Sequence, residues 1–168
     1  MARRVLGVDP GSAATGWALV IAEGNRYRLE ERGVLRPRGH DRAHRLADLD
    51  RRFSDLLARL TPDCSAVESP FAGRNVRSAL SLAECRGVLL AALGRHRVEV
   101  TSYSPAQIKS AVVGHGNAAK AQVAYMVKRL LRLAEEPPAD AADAAAVALT
   151  HLHVARFQRS VDASVDAC

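Results

Sequence analysis

Apolar and polar residues follow two rhythms along this chain, and the changes of rhythm mark its elements. Residues 4–9 (RVLGVD) are a nearly unbroken apolar run closed by Pro10-Gly11-Ser12, which predicts a buried strand ending in a turn. Residues 16–22 (GWALVIA) predict a second strand, and Gly24-Asn25 turns the chain into a third over 27–35. Short turns make these three strands antiparallel neighbours. Over 40–60 the positions Leu46, Leu49, Phe53, Leu56, Leu57 and Leu60 fall three and four apart, the stripe of an amphipathic helix.

Beyond that point strands and helices alternate. Residues 65–69 (SAVES) predict a strand broken by Pro70, and 78–93 a helix with Gly94 as its stop. Residues 98–103 predict a fifth strand. Ser104 followed by Pro105 and Gln107 has the form of a helix start, and that helix runs to Gly114-His115-Gly116. A further helix covers 118–133, Pro137-Pro138 breaks it, and a last one runs from Asp140 to about 159. With no repeat or linker, 1–159 is expected to be one domain and 160–168 a flexible tail. Three strands before alternating units give an α/β fold with a mixed five-stranded sheet flanked by helices.

Composition changes the picture in one respect. The net charge is +6, and residues 71–132 hold ten Lys/Arg against two acids, Glu84 and Glu99. A basic middle of this kind suits a polyphosphate partner, although an arginine-rich solvated face would look the same. Apolar runs are too interrupted to span a bilayer, no leader pattern opens the chain, and the three scattered cysteines form no framework. A cytoplasmic protein without a membrane partner is expected.

Four acids stand at predicted element ends beside small residues: Asp9, Glu68, Asp140 and Asp143. Asp140 and Asp143 are spaced i, i+3 on one helix face, and carboxylates at strand ends can meet them there. Such a crowd repels unless a cation offsets it, and all-oxygen ligands favour Mg²⁺ or Mn²⁺, with room for two ions. Taken singly, each acid also has a plainer role. Asp9 suits a turn, Glu68 an exposed strand end, and Asp140 and Asp143 the start of a helix. The joint pattern decides between these roles.

The segments VLGVDPGSAATGWALV, AVESPF with Asn75, SPAQIKSAVVGHGNAAKAQV and PPADAADAAAVALTH together resemble the RuvC family of Holliday junction resolvases, over roughly 3–153. The resemblance implies a ribonuclease H-like fold, a homodimer, and an endodeoxyribonuclease that cuts four-way DNA junctions in recombination and repair. It implies paired, symmetric, metal-dependent cuts leaving 5′-phosphate and 3′-hydroxyl ends, with a branch-migration complex of the RuvA and RuvB type as partner. Family acids fall on Asp9, Glu68, Asp140 and Asp143, and the family's basic active-site neighbours on Lys109 and Lys120, both counted with the DNA-binding residues and Lys120 also with the catalytic set. The aromatic residue near the junction centre falls on Phe71, although Ser69-Pro70 here replace the polar residue usual after the glutamate. Arg74, Asn75 and Arg77 are candidates for tracking phosphates beside Phe71. Trp17, where tyrosine is commoner, is expected to pack.

Three rivals share parts of this pattern. Actin-like ATPases and sugar kinases also begin with Asp-x-Gly, but they need a second domain that 168 residues do not accommodate. A non-catalytic junction-binding module would not need all four acids. Other ribonuclease H-like nucleases act on RNA or RNA–DNA hybrids, and the residues alone leave that substrate open. His151 and His153, two apart on a helix, point away from each other and make a poor metal pair.

Overall fold

The computed structural model of the chain describes residues 2–69 and 76–165. Its elements are β1 (Arg3–Asp9), β2 (Thr15–Glu23), β3 (Arg26–Leu35), α1 (Arg42–Leu60), β4 (Cys64–Glu68), α2 (Val76–Arg95), β5 (Glu99–Tyr103), α3 (Pro105–Val113), α4 (Lys120–Leu130) and α5 (Ala139–Val165). The sheet order is β3-β2-β1-β4-β5. β1, β2 and β3 pair as an antiparallel meander, whereas β1 with β4 and β4 with β5 run parallel. The mixed sheet and the order of elements match the pattern in the sequence.

Each face of the sheet is buried under helices. Leu6, Val8, Trp17, Leu19 and Val67 pack with Leu49, Phe53 and Leu57 of α1 and Leu89 and Leu93 of α2. Val5, Ala18, Val20, Cys64, Ala66 and Tyr103 pack on the opposite side against α3, α4 and α5. Strand side chains alternate between faces. Asp9 therefore shares the α5 side with Val5 and Gly7, and Glu68 shares it with Cys64 and Ala66. Val5 pairs with Cys64 and Gly7 with Ala66, so the same register carries Asp9 toward Glu68.

α5 lies unusually low on the sheet because neither surface presents bulk. A Cβ on Gly7 would meet the Ala144 carbonyl oxygen at 2.0 Å, and one on Gly16 the Asp140 carbonyl oxygen at 2.2 Å. Ala141, Ala144, Ala145 and Ala148 supply the helix side of this contact and are essentially inaccessible. Backbone against backbone, with no side chain between, sets the height of the helix over β1 and β2.

Helix ends account for most departures from the expected boundaries. α1 begins at Arg42 rather than His40 because the Asp41 side chain accepts the His44 N–H at 2.8 Å and caps it. Gly94 does not stop α2; the helix continues to Arg95, and Arg97 takes the left-handed turn at φ 57°. α4 closes at Leu130, with Arg132 left-handed at φ 53°. α3 starts as expected, Ser104 accepting the Gln107 N–H at 3.3 Å and the Gln107 side chain accepting the Ser104 N–H at 2.8 Å. α5 extends to Val165 rather than about 159, since no glycine or proline follows Arg159 to end it. Among the described residues, no helix is long and apolar enough to cross a membrane.

Candidate active site

Sheet parity and the low seat of α5 bring Asp9, Glu68 and Asp143 around one pocket of about 330 Å³. Lys109 of α3 and Lys120 of α4 complete its polar lining, over an apolar floor of Ile108, Val123 and Ala146. Each charged residue comes from a different element: β1, β4, α5, α3 and α4. No local motif could build this site, because it exists only once the sheet is covered.

Asp9 and Glu68 are under electrostatic strain. Burial first, and then the charges of Glu68 and Asp143, push Asp9 up to about 7. The Asp9 and Glu68 carboxyls interact closely, which raises Asp9 further and holds Glu68 down. Burial likewise raises Glu68, with Lys120 and Lys109 opposing the rise. The Lys120 ammonium donates to Asp143 at 2.6 Å, and this contact, followed by the charges of Asp9 and Asp140, holds the lysine protonated. Lys120 thus neutralises part of a surplus of negative charge.

Asp140 stands apart from the other three acids. It lies one helical turn before Asp143, and its carboxylate is 3.6 Å from the Arg36 guanidinium at the rim, outside the pocket lining. The convergence expected from i, i+3 spacing is therefore a shared side of α5 rather than a shared contact. Arg36 had no signal in the sequence; it sits just after β3 and reaches the site only because β3 neighbours β2. Arg77, at the start of α2, borders Ser12, Arg42 and Glu84 rather than the acid pocket. Phe71, Arg74, Asn75 and the Pro70 step of the loop lie outside the described residues.

Hard divalent cations fit the three clustered carboxylates. The donors are all oxygen, the pocket is roomy, and the crowding of charge that raises Asp9 is of the kind a cation relieves. Their oxygens are not gathered as tightly as a preformed cage. Among the described residues, the group with three ligand atoms within 4.8 Å of one another is the exposed His40, Asp41 and His44.

A polar cluster between the sheet and α5, away from the acid pocket, was not legible in the sequence. Tyr103 Oη lies 3.1 Å from His151 Nδ1, and Cys64 Sγ lies 3.5 Å from His151 Nε2. Arg3 completes it at 3.4 Å from the same nitrogen. These four residues sit on β5, α5, β4 and β1, and burial pushes His151 below the usual histidine range. His153 points elsewhere, toward the Ala111 carbonyl at 3.0 Å, so the two histidines do diverge as their spacing predicts. Trp17 is buried in the core, as expected.

The family model for "Crossover junction endodeoxyribonuclease RuvC" matches residues 5–151. A relative of that name from Nitratidesulfovibrio vulgaris is 44% identical over 92% of this chain and 93% of its own. Another, from Alkalilimnicola ehrlichii, is 45% identical over 92% of this chain and 94% of its own. The solved Thermus thermophilus RuvC superposes with a TM-score of 0.84 at 37% identity, covering 94% of this chain and 97% of that one. The T. thermophilus RuvC in complex with a Holliday junction substrate gives 0.86 at 36% identity, over 93% and 96%. Yeast mitochondrial Holliday junction resolvase Ydc2, at 16% identity and a TM-score of 0.64 over 90% of this chain and 79% of its own, shares the fold. With strand order, helix placement and sequence in agreement across nearly its whole length, the chain has a ribonuclease H-like fold and belongs to the RuvC family of crossover junction endodeoxyribonucleases.

Proposed function

We propose that this protein resolves Holliday junctions by paired, symmetric phosphodiester hydrolysis, leaving 5′-phosphate and 3′-hydroxyl ends, in recombination and repair. The observation that carries this reading is the meeting of Asp9, Glu68 and Asp143 with Lys109 and Lys120 around one open pocket. Asp9, Glu68 and Asp143 would hold Mg²⁺ or Mn²⁺, with Asp140 joining from the rim and two ions per site. Bound there, such ions supply water activation and charge neutralisation at the scissile phosphate.

The protein's own groups do the remainder. Lys120, already aimed across the pocket at Asp143, offers a fixed cation to the charge that grows on the phosphoryl oxygens. Lys109 opposes the same charge from α3. The floor of Ile108, Val123 and Ala146 is apolar and offers neither cation a competing partner. Phe71, with Arg74, Asn75 and Arg77, is assigned to the junction's opened bases and phosphates.

Two equal cuts require two pockets related by the two-fold axis of the junction, hence a homodimer. The outer face of α2 supports such pairing, with Val76 71% and Leu80 61% exposed beside Ala83, Gly87 and Ala91. A cytoplasmic setting and a RuvA- and RuvB-type branch-migration complex complete the reading.

The test compares a synthetic four-way junction, a linear duplex and an RNA–DNA hybrid, each with Mg²⁺, Mn²⁺ or EDTA. The expected result is symmetric nicking of the junction alone, only with metal, and ligatable products. Cutting of the hybrid in preference to the junction would replace this reading with an RNA-directed one.

A further inference from the structure

The basic middle of the sequence does not gather at one place in the fold. Lys109 and Lys120 reach the acid pocket, whereas Arg129 and Arg132 lie at the other end of α4, about 15 Å along the helix. There Arg26, the first residue of β3, and Arg156, from α5, converge with them on a second pocket of about 560 Å³, which Tyr27 and Phe157 also line. No acidic side chain lines it among the described residues.

Local structure positions Arg129 and Arg132 at the basin. Arg129 lies 5.9 Å over the Tyr125 ring and donates to its hydroxyl at 3.3 Å, which fixes it along the outer side of α4. Arg132 occupies the left-handed stop after α4 at φ 53°, where glycine would fit without the roughly 1 kcal/mol of strain. The helix between the two pockets (KAQVAYMVKRL) contains no acid at all. From Lys120 to Arg132 nothing on α4 repels a phosphate chain.

We propose that this second basin holds the sugar-phosphate backbone of a duplex arm as it leaves the cleavage site. The inference rests on the junction-cutting function proposed above. Continuity favours DNA over an acidic protein segment, since one polymer in the acid pocket can follow α4 to the basin. A 15 Å track corresponds to about four or five base pairs at 3.4 Å per pair. All four cations are arginines, whose planar forks suit phosphate oxygens.

The experiment measures binding of a four-way junction in EDTA over a salt series, for wild type, R129E/R132E and, from a separate element, R26E. Expected for R129E/R132E is about 10-fold weaker binding near 0.1 M salt, and a salt slope reduced by about 1–2. R26E should fall in the same direction, and single-turnover cleavage at saturating protein should stay at the wild-type rate. Neutral methylphosphonates placed about four or five pairs from the crossover should weaken the wild type but add nothing to the loss in R129E/R132E. Wild-type affinity and slope in variants with normal circular dichroism would overturn the proposal, including the case where they lose an acidic protein partner instead. Additive losses from variant and neutral phosphates would also overturn it. If the wild type itself neither bound nor cut the junction, the function would fall and this proposal with it, which separates the two failures.

Discussion

Burial and two neighbouring carboxylates push Asp9 up to about 7, so near neutrality its charge is only partly present. Asp9→Asn removes that repulsion together with a proposed metal ligand. It should abolish junction cleavage, leave junction binding within a few-fold of wild type, and stabilise the metal-free protein by about 1 kcal/mol in a thermal melt. Cleavage by the variant at the wild-type rate would remove Asp9 from the reaction. Lys120→Ala should lower single-turnover cleavage about 10²-fold or more with little change in junction affinity, measured in a quenched-flow assay. His151 governs a different property. Burial lowers its folded pKa beneath the unfolded value near 6.5, so its contribution is present above that value and fades as pH falls through the folded one. Chemical denaturation should show stability declining below about pH 6.5, a decline that His151→Gln flattens. An unchanged acid limb would show that other groups set it.

At the scale of elements, the reach of the sequence ends where tertiary contact begins. The five strands, the capping box at Ser104 and the stripe of α1 are local in cause, and they appear close to their expected positions. Where glycine was read as a stop, at Gly94, competing helix-favouring neighbours carried α2 one residue further and left the sharp turn to Arg97. Asp9, Glu68 and Asp143 could be chosen as acids at element ends, but their meeting depends on Gly7 and Gly16, which read only as ordinary strand residues. The Asp140–Arg36 pair and the Tyr103–His151–Cys64 cluster depend on contacts distant in sequence, so no spacing announces them. Gly7→Ala tests the α5 seat. The added methyl would need the Ala144 carbonyl to give way, which should cost about 2–3 kcal/mol of stability and lift Asp143 from Asp9. Cleavage by the folded variant should fall more than junction affinity does.

At the scale of the whole molecule, the described residues gather one acid pocket, and the proposed paired cuts need a second copy. Leu80→Glu, on the exposed side of α2, should shift the protein to monomers in light scattering and convert paired cuts into uncoupled single nicks. An intact dimer in that variant would move the contact to another face. β3 is relevant here too. It forms one rim of the sheet, its outward positions Arg26, Arg28, Glu30 and Arg32 are exposed and charged, and the β2–β3 register slips once near Leu19 and Val20. A rim so charged and irregular is a poor template for another strand. Open-ended stacking of copies along this rim is thereby disfavoured, which agrees with the proposed pairing through α2, a contact that can close as a pair and stop.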